Sequence, residues 1–142
     1  MQQVYVSSLI DAPLEKVWEV LRDFNSLPQW HPLVAESQIE DGLPADAIGC
    51  IRNFQLTGNG ETIREKLLAL SDTEYSCTYS ILESPLPVSE YVATVRLRRV
   101  TVSGQTFGEW HSKFNTPAGE EEAARAIVKS IYEDGLASLA DA

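Results

Sequence analysis

The chain has 142 residues, of which 44% are hydrophobic, and its 21 acidic and 11 basic residues give a formal net charge of -10. This length predicts a single domain over residues 1–142 with a substantial core, and the negative charge repels phosphate backbones, which argues against nucleic acid as a partner. No apolar run reaches the roughly eighteen residues of a bilayer span, and the first residues lead into a strand pattern rather than a signal peptide, so we expect a cytoplasmic protein without membrane insertion.

The first part of the chain predicts one strand and two helical segments. The stretch "QQVYVSSLI" has the β-branched and aromatic content of a strand. The stretch "DAPLEKVWEVLRDF" is typical of a helix, with Pro13 in its first turn and one apolar stripe. That stripe consists of Leu14, Val17, Trp18 and Leu21. The following "NSLPQWHPLV" predicts a short helical or turn connection that carries Trp30 and His31.

Six further strands are predicted, and their short connections indicate an antiparallel meander. They cover residues 34–40, 48–56, 62–70, 75–82, 88–100 and 106–114. Residues 57–60, "TGNG", predict a tight turn, because glycine and asparagine tolerate positive φ. Since side chains alternate along a strand, we assign an inward face to Cys50, Arg52, Phe54, Leu56, Ile63, Glu65, Leu67, Tyr75, Cys77, Tyr79, Ile81, Tyr91, Ala93, Val95, Leu97, Trp110, Ser112 and Phe114.

The inward assignment of Arg52 and Glu65 is unusual, because an ionised group is costly to bury without a partner. Three interpretations stay open. The two side chains form a purely structural salt bridge across neighbouring strands, they orient a bound ligand, or they take part in proton transfer.

Cysteines and histidines give no sign of a metal or a cofactor. Cys50 and Cys77 lack metal or CxxC spacing and are typical of buried thiols. The two histidines have no close carboxylate or cysteine partners, so we predict no metal and no cofactor. His111 is predicted to point outward. For His31 we weigh a pocket acid or base against a partly exposed loop residue, and favour the loop residue.

After "TPAGEEE" the chain is predicted to be helical to its end. The repeat that supports this helix consists of Ala124, Ile127, Val128, Ile131 and Leu139. Gly135 inside the helix indicates either a close approach or spare volume against the sheet. One helix covers only part of a seven-stranded sheet, so either bulky side chains fill the rest or a pocket stays open.

The order of elements and several motifs resemble the START-like, Bet v 1-like (SRPBCC) superfamily, and within it the polyketide cyclase/dehydrase type. The motifs are "APLEKVWEVLRDFNSLPQWHP", "GCIRN", "IREKLLALSD", "YSILESPLPVSEYVATVRL", "EWHSKF" and "IYEDGLASLA". The resemblance covers essentially the whole chain. It implies an α+β helix-grip fold, in which a curved seven-stranded antiparallel sheet wraps a long C-terminal helix around an internal cavity.

The segments "GCIR" and "EKL" are also similar to those of plant lachrymatory-factor synthases, in which an arginine and a glutamate are regarded as the catalytic pair. Those positions correspond to Arg52 and Glu65 here. The resemblance implies a proton shuttle in a cavity but does not imply the substrate of those enzymes.

From these observations we predict a protein that binds a small hydrophobic or aromatic molecule in an internal cavity. The alternative is a cofactor-independent cyclase, dehydratase or isomerase that uses Glu65 for proton transfer and Arg52 to stabilise an oxyanion. The predicted ligand-binding residues are Trp30, Phe54, Tyr79, Tyr91, Trp110, Phe114, Ile127 and Ile131. Scattered apolar residues on the outward faces fit either a monomer or a homodimer.

Overall fold

The computed structural model describes residues 1–142 and has the α+β helix-grip architecture predicted from the sequence. Its strands are β1 (Gln2–Ile10), β2 (Val34–Ile39), β3 (Ile51–Leu56), β4 (Thr62–Ser71), β5 (Ser76–Glu83), β6 (Ser89–Arg99) and β7 (Thr106–Asn115). Its α-helices are α1 (Leu14–Leu21), α2 (Leu27–Trp30) and α3 (Glu121–Ser138), and 3₁₀ turns cover Glu40–Gly42 and Leu139–Asp141.

The seven strands form one curved antiparallel sheet in the order β1-β7-β6-β5-β4-β3-β2. Each strand from β2 to β7 pairs with its neighbour in sequence, which confirms the predicted meander, and β1 closes the other side of β7. The strand predicted from residue 48 begins instead at Ile51, because Gly49 has a φ of 93° that a continuous strand does not use.

The turn at residues 57–60 sets the register of β3 and β4. Gly58 and Gly60 have φ values of 88° and 71°, as the glycine-rich sequence predicts. The turn places Gln55 opposite Thr62, and the ladder continues until Arg52 lies opposite Glu65. The inward positions predicted for this hairpin are therefore correct.

The apolar stripe of α1 is buried as predicted. Pro13 is the N-cap residue of this helix, one position before its first turn. Hydrogen bonds connect the C-terminal end of α1 to Asp72, which follows β4. The indole Nε1 of Trp18 donates one of 2.8 Å to Asp72, and Nε of Arg22 donates one of 2.9 Å to the same carboxylate.

Helix α3 packs on the sheet through a face that differs in part from the predicted repeat. Its buried residues are Ala124, Val128, Tyr132, Gly135 and Leu136. Ile127, which the repeat assigns to the same face, is 40% exposed. The helix is rotated toward Tyr132 because this side chain stacks on Trp110, with ring centroids 4.5 Å apart, and its hydroxyl has a buried partner.

Gly135 marks a close approach, one of the two predicted alternatives. A Cβ atom at this position would lie 2.7 Å from Cζ3 of Trp110 and 3.0 Å from Cδ2 of His31. Only glycine allows α3 to approach β7 and the segment after α2 this closely.

Two further features bear on function. None of the helices combines the length and the apolar composition that a bilayer span requires. No group of three or more His, Cys, Asp or Glu side chains is arranged to hold a metal ion.

Candidate functional site

An internal cavity of about 60 Å³ lies between the sheet and α3. This volume is well below the roughly 150 Å³ of an apolar cavity that holds benzene, so the cavity alone is too small for an aromatic ring. Most of its wall is apolar, and the side chains with polar atoms in that wall are His31, Arg52, Glu65, Tyr79, Tyr91 and Trp110. The cavity is thus an apolar space with a few convergent polar groups.

A wider groove of about 440 Å³ adjoins the cavity at the surface. The cavity and the groove share the side chains of Leu33, Leu56, Ile63, Leu86 and Ile131. The groove alone adds Thr57, Ala126, Ile127 and Ser130. The cavity and the groove therefore meet at a layer of aliphatic side chains, and the exposed Ile127 lies on the groove side of that layer.

Arg52 and Glu65 form an ion pair at the cavity. Nε and Nη2 of Arg52 lie 2.8 and 2.7 Å from the same oxygen, Oε1 of Glu65. The side chains of both residues are 8% exposed. Because a buried charge without a partner is strongly destabilising, each side chain needs the other to stay in place.

Aromatic rings hold the guanidinium of Arg52 in position. Its Cζ lies 3.9 Å from the ring centroid of Phe24 and 4.8 Å from that of Tyr79, so the cation contacts two π-faces. Nη1 has only a long hydrogen bond of 3.5 Å to the carbonyl oxygen of Phe24. Arg52 is thus fixed by packing as well as by Glu65.

The second carboxylate oxygen of Glu65, Oε2, makes no hydrogen bond and retains accessible surface. Burial raises the pKa of Glu65, and this effect outweighs the opposing influence of the Arg52 charge. The side chain thus offers the cavity one free oxygen on a carboxyl group that takes up a proton more readily than a surface glutamate does.

A cluster of aromatic side chains forms the wall beyond the ion pair. The hydroxyls of Tyr91 and Tyr132 are hydrogen-bonded to each other, and the indole Nε1 of Trp110 donates a hydrogen bond of 3.1 Å to the hydroxyl of Tyr79. Burial raises the pKa of all three tyrosines, so each keeps its proton at neutral pH. Tyr132 was missed by the sequence prediction because the apolar repeat of α3 was assigned to the face that carries Ile127 and Ile131.

His31 is buried, with 4% exposure, so the prediction of a partly exposed loop residue is wrong. It is covered because α3 lies over the segment that follows α2. Nδ1 accepts a hydrogen bond of 3.2 Å from the backbone N–H of Leu33, so Nε2 carries the proton and donates it to the carbonyl oxygen of Ile131 at 3.0 Å. Burial lowers the pKa of His31 and favours the neutral ring. Both nitrogens are occupied, so His31 links two segments and has no free atom for acid–base chemistry.

The predicted ligand-binding residues occupy three different places. Phe54, Tyr79, Tyr91, Trp110 and Ile131 line the cavity. Trp30 and Phe114 are buried in the surrounding core and do not reach the cavity wall. Ile127 belongs to the groove.

Both cysteines are buried, as predicted. Burial raises the pKa of the Cys77 thiol to about 11 and also raises that of Cys50. Since the thiolate is the reactive form, neither side chain is suited to nucleophilic chemistry at neutral pH.

Comparison of the sequence and the fold with known proteins identifies the family of this chain. A family profile described as "Polyketide cyclase / dehydrase and lipid transport" matches residues 1–142. The chain belongs to this family. The sequence resemblance to the polyketide cyclase/dehydrase type is thereby confirmed, and the family description fits an apolar cavity without stating what this member binds.

Solved structures share the fold of this polyketide cyclase/dehydrase family member. An uncharacterised protein from Bacillus thuringiensis is 34% identical, with a TM-score of 0.88 over 99% of this chain and 97% of the other. The protein XoxI from Bacillus cereus is 33% identical, with a TM-score of 0.88 over 99% and 94% of the two chains. A Thermobifida fusca protein at 21% identity shows the fold alone, with a TM-score of 0.86 over 99% and 91%. A search of curated proteins gave no match.

Proposed function

We propose that this protein binds a small hydrophobic or aromatic molecule at the cavity and its adjoining groove, with Arg52 and Glu65 as the polar floor of the site. The observation that carries the proposal is an unsatisfied carboxylate oxygen in an otherwise apolar cavity. Oε2 makes no hydrogen bond within the protein, and an acceptor without a protein partner beside an apolar cavity is a recognition point for a ligand that donates a hydrogen bond.

The size of the cavity adds a requirement to this proposal. At about 60 Å³ it admits only a small part of a lipid-like or polyketide-like molecule. The remainder of such a ligand occupies the groove, or the aliphatic layer around Leu86 and Ile131 moves aside. Either arrangement uses side chains that both spaces share.

A thermal-shift screen of the purified protein tests this function. The panel contains fatty acids, long-chain alcohols, sterols, flavonoids and aromatic polyketides. A ligand at a hundred times its dissociation constant stabilises the folded state by about 2.7 kcal/mol, which raises Tm by several degrees in a chain of this size.

Variants of the Arg52–Glu65 ion pair are screened beside the wild type. Arg52→Met and Glu65→Gln are expected to lose most of the ligand-induced shift, whereas Arg64→Met, which changes an arginine on the outer face of β4, retains it. If no class of compound shifts the wild type, the ion pair is only structural and the proposed function fails.

The free oxygen of Glu65 favours one second candidate function, which is proton transfer to or from the bound molecule. A carboxyl group with a raised pKa can act as a general acid or base, and the Nη1 donors of Arg52 can stabilise a developing oxyanion. The reaction class is that of a cofactor-independent cyclase, dehydratase or isomerase. Glu65→Gln is the test: with a compound found in the screen, turnover by the wild type that survives in a folded Glu65→Gln protein excludes this role for Glu65.

A further inference from the structure

The cavity and the groove together define the shape of the ligand that the site accepts. The cavity has room only for a small group, and the groove that adjoins it is about seven times larger by the volumes of 60 and 440 Å³. A molecule that fills both spaces has a small head and a longer apolar part. The two parts meet at the aliphatic layer, which consists of Leu33, Leu56, Ile63, Leu86 and Ile131.

The chemistry of the head follows from the free atom at the cavity. Oε2 of Glu65 is a hydrogen-bond acceptor without a partner, whereas Oε1 is already occupied by two donors of Arg52. A head that donates a hydrogen bond satisfies Oε2. A head that only accepts can meet the Nη1 donors of Arg52 but leaves Oε2 unpaired, and a carboxylate head also brings a second negative charge next to Glu65.

The chemistry of the tail follows from the groove. Ile127 is 40% exposed on α3, and it joins Leu33, Leu86 and Ile131 along the apolar surface of the groove. A saturated chain laid over these side chains removes apolar surface from water on both partners. The polar side chains that line the groove, Thr57 and Ser130, are uncharged.

From this geometry we infer that the ligand is a neutral amphiphile of the long-chain alcohol class, which inserts its hydroxyl head into the cavity as a hydrogen-bond donor to Oε2 of Glu65 and lays its alkyl tail in the groove beside Ile127. The inference rests on the proposed function and specifies the substrate class of the same site. A fatty carboxylate and an alkyl ether of the same length are excluded as preferred ligands.

NMR titration of the wild-type protein with three probes tests the head. The probes are 1-octanol, its isomer methyl heptyl ether, which has no hydrogen-bond donor, and octanoate. Because a hydrogen bond to a charged acceptor is worth more than one between neutral groups, 1-octanol is expected to bind about tenfold more tightly than the ether. In Glu65→Gln, where an amide N–H₂ can replace the acceptor oxygen, this preference is expected to fall to about twofold or less.

A second pair of variants tests the tail and does not depend on the stability of the ion pair. Ile127→Asp puts a charge into the groove and is expected to weaken 1-octanol binding about fivefold or more, since each methylene kept from water contributes roughly a factor of four. Val102→Asp is the matched control, because Val102 is 98% exposed in the connection between β6 and β7 and touches neither space.

The outcomes separate the inference from the proposed function. Equal affinities for 1-octanol and methyl heptyl ether, tighter binding of octanoate, or unchanged binding in Ile127→Asp would overturn the inference, while the proposed function stands as long as an apolar compound binds at the cavity. If none of the three probes binds and the wider ligand panel also fails, both are overturned. A tenfold preference for the alcohol that depends on Glu65, together with weaker binding only in Ile127→Asp, supports the inference.

Discussion

Arg52 and Glu65 lie opposite each other in the register of β3 and β4, and two guanidinium nitrogens, Nε and Nη2, approach a single carboxylate oxygen. This pairing neutralises two buried charges and still leaves one acceptor free. A bidentate pair with one donor on each oxygen would leave neither oxygen without a partner. The unequal use of the two oxygens leaves Oε2 as the atom on which the proposed binding function depends.

We expect Arg52→Met to lower the free energy of unfolding by about 3–5 kcal/mol, because it leaves Glu65 buried without its partner. The double variant Arg52→Met/Glu65→Leu is expected to regain most of this loss, since it removes both charges together. Arg64→Met is the surface control, and its loss should be about 1 kcal/mol or less, because Arg64 and its partner Glu40 are each about a quarter exposed, at 27% and 24%. Urea unfolding measures all three, and equal losses for Arg52→Met and Arg64→Met would contradict the buried ion pair.

The raised pKa of Glu65 predicts a particular dependence of stability on pH. In the folded state this carboxyl group holds its proton to a higher pH than in the unfolded chain, where the ordinary value is 4.5. The folded state is therefore favoured at low pH, and this contribution is lost as the pH rises from 4.5 through the raised pKa. The free energy of unfolding of the wild type relative to Glu65→Gln should fall across that window.

Glu40 provides a control, because its pKa is shifted in the opposite direction to that of Glu65. Hydrogen bonds from Arg64 lower the pKa of Glu40 to about 2. Its contribution is present above the ordinary value of 4.5 and is lost as the pH falls toward 2. Carboxyl ¹³C titration of the folded protein should place Glu65 above 4.5 and Glu40 below it. A Glu65 titration that coincides with that of Glu40 would show that Arg52, not burial, dominates at Glu65.

Gly135→Ala is expected to destabilise the protein by about 1–3 kcal/mol, although alanine favours helix formation by about 1 kcal/mol. The reason is that the added methyl group would lie 2.7 Å from Trp110 and 3.0 Å from His31. Ala137→Gly, at an exposed position in the same helix, should lose about 1 kcal/mol from helix propensity alone. If Gly135→Ala stabilises the protein in thermal unfolding, α3 does not approach Trp110 this closely.

The buried His31 is expected to lower the free energy of unfolding of the protein in mild acid. Because burial lowers its pKa in the folded state, the neutral ring contributes stability that is present above the ordinary pKa of 6.5 and is lost as the pH falls below it. Unfolding of the wild type and His31→Gln, compared between pH 7.5 and pH 5, should show the steeper loss in the wild type. His111→Gln, on the exposed outer face, controls for the substitution itself. Equal slopes for the wild type and His31→Gln would place His31 in solvent.

The ion pair was predictable from the sequence because a short turn fixes the register of the hairpin that carries it. Glycines at positions 58 and 60 set that turn, and strict alternation then brings Arg52 and Glu65 to the same face. Helix α3 was harder to place. Its apolar repeat includes Ile127, whereas the buried face is set by Tyr132, whose hydroxyl is satisfied only through Tyr91 on a distant strand.

Tertiary contacts also explain the error at His31. Nothing local buries a histidine between Trp30 and Pro32, and only the approach of α3 through Gly135 covers the ring. The cavity was expected, but its volume depends on how each inward side chain packs. The division into a small cavity and a larger groove has no signature in the pattern of residues.

Methyl NMR of the isoleucine side chains tests the central claim most directly. The most strongly stabilising compound of the screen is added to the ¹³C-methyl-labelled wild type, and the shifts of all isoleucines are followed. We expect changes at Ile127 in the groove and at Ile63, Ile81 and Ile131, the three that line the cavity, and none at Ile48, which is 61% exposed away from it. Changes confined to other isoleucines, or a compound that shifts Tm without moving these three, would contradict binding at the cavity floored by Arg52 and Glu65.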